Sequence, residues 1–307
     1  AHGCGGFAFF LQLHNNITYD IESYYKLSDE VRGLLPGMAD GRILTAFALT
    51  EACGGSDPSM NQSYAELMHD GYHIFGEKNW IANALDADHF LVIVRNGTAK
   101  NMLIFLVDRG TPGFTIGANR VRVGGNVMSC ADLRFADCVV PETRLVSVDG
   151  YKAALRAIDV ARIFVPAIAI GLAQRSIDLA VEYLGGRSTF GKPVISNQGV
   201  QWTLAELSAQ VEAGRWLVYR TASMMDAGDP VALQAAQSKL YATTLAMKVT
   251  TECAQLFGAN GLDRDSAVAR NMAVAKMLQL VDGTSEIQKI VIGRALERKA
   301  AQSIQRN

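Results

Sequence analysis

The chain has 307 residues, 49% of them hydrophobic and 19% charged, with a formal net charge of -1, enough apolar material for one sizeable core and room for two. That near-neutral balance offers no basic surface to nucleic acid or an anionic membrane, though a small anionic ligand stays compatible with it. No apolar run reaches bilayer length, the longest being broken at Pro166 and Gly171, and the start has no basic-then-apolar leader pattern. Five cysteines (Cys4, Cys53, Cys130, Cys138, Cys253) lack paired spacing, so the expectation is a soluble protein with reduced thiols, cytoplasmic or, in a eukaryote, of the mitochondrial matrix.

From Ala1 to about Gly41 the pattern is helical, with Phe7, Phe10, Leu11 and Leu13 clustered and Val31, Leu34 and Leu35 ending at Pro36-Gly37. This reads as the end of a helical domain over 1–41. Over 42–148 the period falls towards two. Strands are expected at Ile43–Leu49, Tyr72–Trp80, Phe90–Val94, Met102–Val107 and Val121–Val123, with turns at Asp70-Gly71, Asn96-Gly97, Pro112-Gly113 and Gly124-Gly125. From 149 to 307 helices are expected at about 151–185, 198–227, 230–258 and 264–303. Their buried faces carry Leu204, Leu207, Val211 and Val218, then Leu240, Leu245, Met247 and Val249. The fold class is α+β, mainly α: a helical N-terminal segment, a middle antiparallel β-domain and a C-terminal four-helix bundle.

Several local patterns have ordinary explanations. Gly186 to Lys192 satisfies half of a phosphate-loop pattern, but Pro193 stands where Ser or Thr should ligate magnesium, and a helix rather than a strand precedes it. His69 and His73 flank the Asp70-Gly71 turn, so they do not form a helical zinc pair, and no metal site is expected. Gly3-Cys4-Gly5-Gly6 lacks the preceding strand of a dinucleotide fingerprint. His2, His14 and His89 read as structural or exposed. Asp282, before Gly283-Thr284-Ser285-Glu286, carries an N-cap signal in its local sequence. Cys53 to Asp57 taken alone reads as a turn, although its small residues would let backbone amides approach a phosphate.

Three separated stretches, Thr50-Glu51-Ala52-Cys53-Gly54-Gly55-Ser56-Asp57, Lys78-Asn79-Trp80-Ile81 and Val281-Asp282-Gly283-Thr284-Ser285-Glu286-Ile287-Gln288, together resemble the motifs of the acyl-CoA dehydrogenase family, in the same order. The resemblance covers essentially the whole chain and implies further helices ahead of Ala1. It implies FAD, with Phe47, Leu49 and Thr50 against the flavin ring, Gly55 and Ser56 at the pyrophosphate, and Trp80, Ile81 and Ala82 alongside the ring. Thr284 and Glu286 are further cofactor positions. Ala82 departs from the family's usual Thr, whose hydroxyl serves flavin N5. The run Arg187-Ser188-Thr189-Phe190-Gly191-Lys192-Pro193 resembles the family's turn in which Arg187 and Phe190 reach a neighbouring subunit's FAD. Gln255 and Gly258 match a second contact to that adenosine.

The same resemblance implies α,β-dehydrogenation of an acyl-CoA in fatty acid metabolism, with β-hydride transfer to flavin and Asp282 as the base for the α-proton. A carboxylate in an apolar pocket is a competent base for such a carbon acid. Ser56, Asp159, Arg162, Val281 and Gly283 are the implied substrate contacts, an electron-transferring flavoprotein is the implied oxidant, and a homotetramer, as a dimer of dimers, is the implied assembly. Most relatives have Glu at the base position, and Ala161 stands where others carry theirs. The aspartate keeps open a nitroalkane-oxidase-like or cyclic-acyl-CoA-specific flavoenzyme. A non-catalytic partner subunit of a heteromeric dehydrogenase is the third reading.

Overall fold

The computed structural model describes residues 3–97, 99 and 101–306; His2 lies outside them. Helix α1 (Gly5–Tyr24) is followed by the short helices α2 (Asp29–Arg32) and α3 (Leu35–Ala39) and then by eight strands. These are β1 (Thr45–Ala48), β2 (Tyr64–Met68), β3 (Gly71–Ala82), β4 (His89–Asn96), β5 (Met102–Asp108), β6 (Phe114–Ile116), β7 (Cys130–Val140) and β8 (Leu145–Ser147). The helices α4 (Gly150–Gly186), α5 (Gln198–Asp226), α6 (Ala232–Phe257), α7 (Ala267–Leu280) and α8 (Ser285–Arg306) complete the chain. The chain divides into two units, one of Phe10–Arg122 and Asn126–Val160, the other of Ala161–Asn307 with Ala1–Phe9 and Val123–Gly125.

In the first unit the strands run β6-β7-β3-β2-β4-β5-β8 across one sheet, and β1 joins beside β4. The sheet is mixed rather than antiparallel throughout, because β4 takes β1 and the start of β2 as parallel neighbours. Hairpin turns join only antiparallel strands, and β1 reaches β4 by a long excursion that leaves no turn signal between them. β4 and β5 are buried on both faces, which is why they read as unbroken apolar runs. Phe90, Val92, Val94, Leu103, Phe105 and Val107 face one core with Ile74 and Leu133. Leu91, Ile93, Ile104 and Leu106 face another, with Leu13, Ile17 and Ile21 of α1. Each of those three α1 side chains contributes about 1.5–3 kcal/mol by leaving water. The four-residue spacing from Leu13 to Ile21 is the buried stripe, so Phe7 and Leu11, expected to cluster inward, are exposed.

Strands β2, β6, β7 and β8 were not expected, whereas the expected strand Val121–Val123 is absent. Val121 and Val123 point into solvent without a strand partner. β7 alternates regularly at Ala131, Leu133 and Phe135, but Asp137 adopts left-handed backbone (φ 57°) and interrupts the period before Cys138. A second irregularity falls in β3, whose register against β7 shifts between Lys78 and Ile81. Such a bulge adds a residue to one strand, so Lys78 and Ile81, three apart, both point inward and Trp80 turns out.

Lys78 is fully buried, and its Nζ donates to Glu51 Oε1 at 2.7 Å and to the Leu49 carbonyl at 3.3 Å. Glu51 also accepts the amides of Gln62 (2.6 Å) and Ser63 (3.1 Å). Burial pushes the Glu51 carboxyl up, but Lys78 and these donors outweigh it and leave it below its ordinary value.

In the second unit α5 buries Leu204, Leu207, Val211 and Val218 as expected. α6 buries a broad face of small residues, among them Ala235, Ala236, Ala242 and Ala246, which lets its neighbours approach closely. The expected helix 264–303 is two helices, separated by Val281–Thr284. Of the other histidines set aside above, His14 is buried between Thr45 Oγ1 (3.0 Å) and the Met38 carbonyl (2.8 Å). His89 pairs with Asp108 at 2.7 Å.

Replacing Lys78 with Met leaves the Glu51 carboxylate buried without its partner, and chemical denaturation is expected to show a loss of about 3–5 kcal/mol. The double variant Lys78→Met/Glu51→Leu is expected to recover most of it. A second prediction concerns His73, which joins Asp137 (2.6 Å) and Asp70 (2.8 Å) at the β2–β3 turn, Asp137 and then Asp70 raising its pKa. A raised folded value stabilises fully below the ordinary histidine pKa and is lost as pH rises through the folded one. The melting-temperature gap between wild type and His73→Gln should therefore be widest in mild acid and close in alkali.

Candidate active site

In the first unit the segment after β1 is laced to the bulge of β3, the Thr50 carbonyl accepting the Asn79 amide at 2.8 Å. Phe47, Leu49 and Ala82 pack into one core, and Ile81 is buried. Gly55 sits where a Cβ would come within 3.2 Å of Thr50 Cγ2. Ser56 and its loop neighbours are exposed. Trp80 is 56% exposed and holds left-handed backbone, φ 60°. Its amide donates to Asp132 Oδ1 (3.0 Å), and Asp132 also holds Arg120, whose guanidinium lies 4.4 Å from the Trp80 ring centroid. Thus Thr50, Gly55 and Trp80, separated in sequence, share one neighbourhood, with Arg120 and Asp132 as partners that the motif pattern did not reveal.

In the second unit the two segments matched to an adenosine site meet on Tyr183. Arg187 Nη1 and Asn260 Nδ2 both donate to its hydroxyl, at 3.2 and 2.8 Å. Its ring stacks on Phe257 with centroids 4.2 Å apart. Phe190 is wholly exposed on left-handed backbone (φ 50°), and Gln255 and Gly258 are exposed nearby in sequence. Tyr183 carried no motif signal.

The Val281–Thr284 break is a reversed turn: Asp282 and Gly283 have φ of 51° and 86°. The following helix is capped by Thr284, whose Oγ1 accepts the Ile287 amide at 3.4 Å while its carbonyl accepts that of Gln288. Asp282 therefore does not serve as the cap. Asp282 as a whole residue is partly exposed, but its Oδ2 is buried and has no hydrogen-bond partner. Burial pushes its pKa above the ordinary carboxylate value, opposed by the charges of Lys239 and then Arg162. Lys239 is fully buried on α6 and donates to the carbonyls of Gly283 (2.8 Å) and Leu278 (3.3 Å). Burial brings it down to about 8, with Asp282 pulling it back up and Arg162 pressing it lower.

Gln288 Nε2 is the second donor to the Gly283 carbonyl, at 2.8 Å. A Cβ on Gly283 would meet Gln288 Nε2 at 2.9 Å and Arg162 Nη2 at 3.0 Å, the far ends of two side chains, and the left-handed φ is what favours glycine here. Arg162 is buried, while Asp159 is half-exposed and Glu286 lies exposed in the first turn of α8. Lys239 escaped the motif comparison. Its sequence signal is a lone lysine among Ala235, Ala236, Ser238 and Ala242, on a helix face too apolar to meet water.

Residues 46–138 match the family model for the acyl-CoA dehydrogenase middle domain and residues 148–297 that for the acyl-CoA dehydrogenase C-terminal domain. A short-chain-specific acyl-CoA dehydrogenase of Clostridium acetobutylicum is 33% identical over 300 residues, covering 96% of this chain and 79% of the relative. Among solved structures, butyryl-CoA dehydrogenase of Megasphaera elsdenii aligns with a TM-score of 0.90 at 34% identity, over 95% of this chain and 78% of that one. A structure described as the electron transferring flavoprotein of Acidaminococcus fermentans aligns with a TM-score of 0.91 at 33% identity, over 95% and 78%. A glutaryl-CoA dehydrogenase of Mycobacterium smegmatis in complex with FADH2 aligns at 0.90 and 26% identity, over 95% and 75%. With both models matched in order and relatives at this identity over nearly the full chain, the chain belongs to the acyl-CoA dehydrogenase family of oxidoreductases.

Proposed function

We propose that the chain dehydrogenates an acyl-CoA thioester across its α,β bond, using FAD, with Asp282 as the base that takes the α-proton. The observation that carries this is the buried, unpartnered Oδ2 of Asp282 on a left-handed turn. A buried carboxylate oxygen without a donor is costly to keep, and a non-glycine residue in left-handed backbone adds strain of order 1 kcal/mol or more. A base that must accept a proton from carbon needs just such a free lone pair.

The residues present fit a flavin. Trp80 offers an exposed ring on a fixed backbone, and the Cys53–Asp57 loop is exposed and glycine-rich. Phe47, Leu49, Thr50, Ile81 and Ala82 are assigned to the flavin ring, and Gly55 and Ser56 to the pyrophosphate. The flavin, when bound, supplies the hydride acceptor. Since Ala82 has no hydroxyl, hydrogen bonding to N5 falls to backbone. Arg187, Phe190, Gln255 and Gly258 are assigned to the adenosine end, with Arg187 and Phe190 contributed across a subunit contact in a homotetramer; the full exposure of Phe190 on strained backbone supports that assignment. Thr284 and Glu286 complete the cofactor set.

On the substrate side, Asp282 accepts the proton, and Val281 and Gly283 hold the acyl end. Arg162 adds positive charge beside the base, Ser56 and Asp159 are assigned to the CoA portion, and enolate charge at the thioester oxygen needs fixed donors near it. An electron-transferring flavoprotein is the assigned oxidant, supported by the kinship with the Acidaminococcus structure. In relatives that carry Glu the carboxylate reaches one methylene further, so an α-carbon seated closer to the turn is the geometry assigned here.

The test is an anaerobic absorbance titration of the flavin-loaded protein with a panel of acyl-CoAs. Bleaching by one acyl class is expected in the wild type, and Asp282→Ala should slow it by about 10²–10⁴-fold while still holding flavin. An unchanged rate in that variant would remove Asp282 from the chemistry.

A further inference from the structure

We propose that Lys239 is the positioning residue for Asp282, clasping the turn that carries it and setting the charge environment of its carboxylate. This rests on the assignment of Asp282 as base. Leu278 and Gly283 flank Asp282 in sequence, and one ammonium binds the carbonyls of both. The Leu278 carbonyl lies in the last turn of α7, where helix geometry leaves carbonyls without an intrahelical donor. Lys239 thus satisfies the helix end and fixes the far side of the reversed turn together. Gln288, from α8, braces the same Gly283 carbonyl.

Two carbonyls alone do not require a charge, because a neutral amide could donate to both. Withdrawing an ammonium from water is unfavourable unless an anion meets it. Within this unit the carboxylate whose charge acts on Lys239 is that of Asp282, and Lys239 in turn acts on Asp282 more strongly than Arg162 does. Among the described residues Lys239 from α6 and Arg162 from α4 are the charges that act on the carboxylate, and Gln288 from α8 is neutral. The arrangement therefore divides the work. Gln288 serves geometry alone, whereas Lys239 serves geometry and charge.

The experiment is the pH dependence of anaerobic flavin bleaching by an acyl-CoA, measured on the flavin-loaded protein and on Lys239→Gln, Lys239→Met and Gln288→Leu. In the wild type the rate climbs with pH as the base ionises. Removing the positive charge makes ionisation harder, so in both Lys239 variants that limb should move upward by at least about one pH unit, a tenfold loss of rate on its acid side. Gln288→Leu should lower the plateau with the limb unmoved. Lys239→Gln keeps donors for the two carbonyls, so it reports on charge even where Lys239→Met does not fold. A limb left at the wild-type position in flavin-bound Lys239→Gln overturns the proposal. An Asp282→Ala variant that still shows the wild-type limb overturns instead the base assignment beneath it.

Discussion

A lysine ammonium withdrawn from water must be met by an anion or by several oriented carbonyls, and among the described residues two are withdrawn completely, Lys78 and Lys239. Lys78 meets both kinds of partner. Lys78 reaches Glu51 and the Leu49 carbonyl, binding the segment after β1 to the bulge of β3. Lys239 reaches the carbonyls on either side of Asp282, and the charge of that carboxylate acts on it. In each unit, then, the part assigned to chemistry is an irregular stretch of backbone anchored from beneath by one buried cation. Apolar packing would have been cheaper at either place, since exchanging a buried ion pair for hydrophobic residues is often neutral or stabilising. What a charged anchor adds is directional: it fixes one carbonyl or carboxylate at hydrogen-bond distance, which dispersion contacts cannot do.

Directional anchoring matters here because the backbone it holds is strained. Among the described residues the non-glycine positions with left-handed φ are Trp80, Asn83, Asp137, Phe190 and Asp282. Three of them, Trp80, Phe190 and Asp282, are positions that the motif comparison had singled out for flavin, adenosine and base. Each would relax to ordinary backbone if its neighbours allowed. Trp80 is held by its amide bond to Asp132 and by Arg120 on its ring, and Asp282 by the two donors on the Gly283 carbonyl. Strain retained against such restraint is a mark of positions selected for where they point.

What could be read from the sequence follows the same physics. The long helices of the second unit and the doubly buried strands β4 and β5 were legible because their apolar periods run unbroken. β7 was not, because the left-handed Asp137 shifts its alternation midway, and Val121–Val123 mimicked a strand by alternating Val with Arg although no strand among the described residues pairs with it. The parallel placement of β1 beside β4 had no local signal, since the pairing partner lies more than forty residues away. The candidate site residues were singled out only by a combination of motifs: Asp282 by itself carries the signature of a helix cap, and the structure gives that cap to Thr284 two residues on.

Asp282 shows why the local reading as a helix cap failed. An N-cap residue adopts extended backbone and turns its side chain back onto the first amides of the helix. At φ 51° Asp282 cannot do so, and the reversal is imposed from outside by Gly283, by Lys239 on α6 and by Gln288 within α8. Lys239 lies more than forty residues before the turn, on an element whose own pattern calls for an apolar residue. The determinant of the turn is therefore a long-range contact that conflicts with local preference at both ends, at Lys239 because it is charged and at Asp282 because it is left-handed. Conflicts of that kind are expected where chemistry, not stability, has fixed the residue.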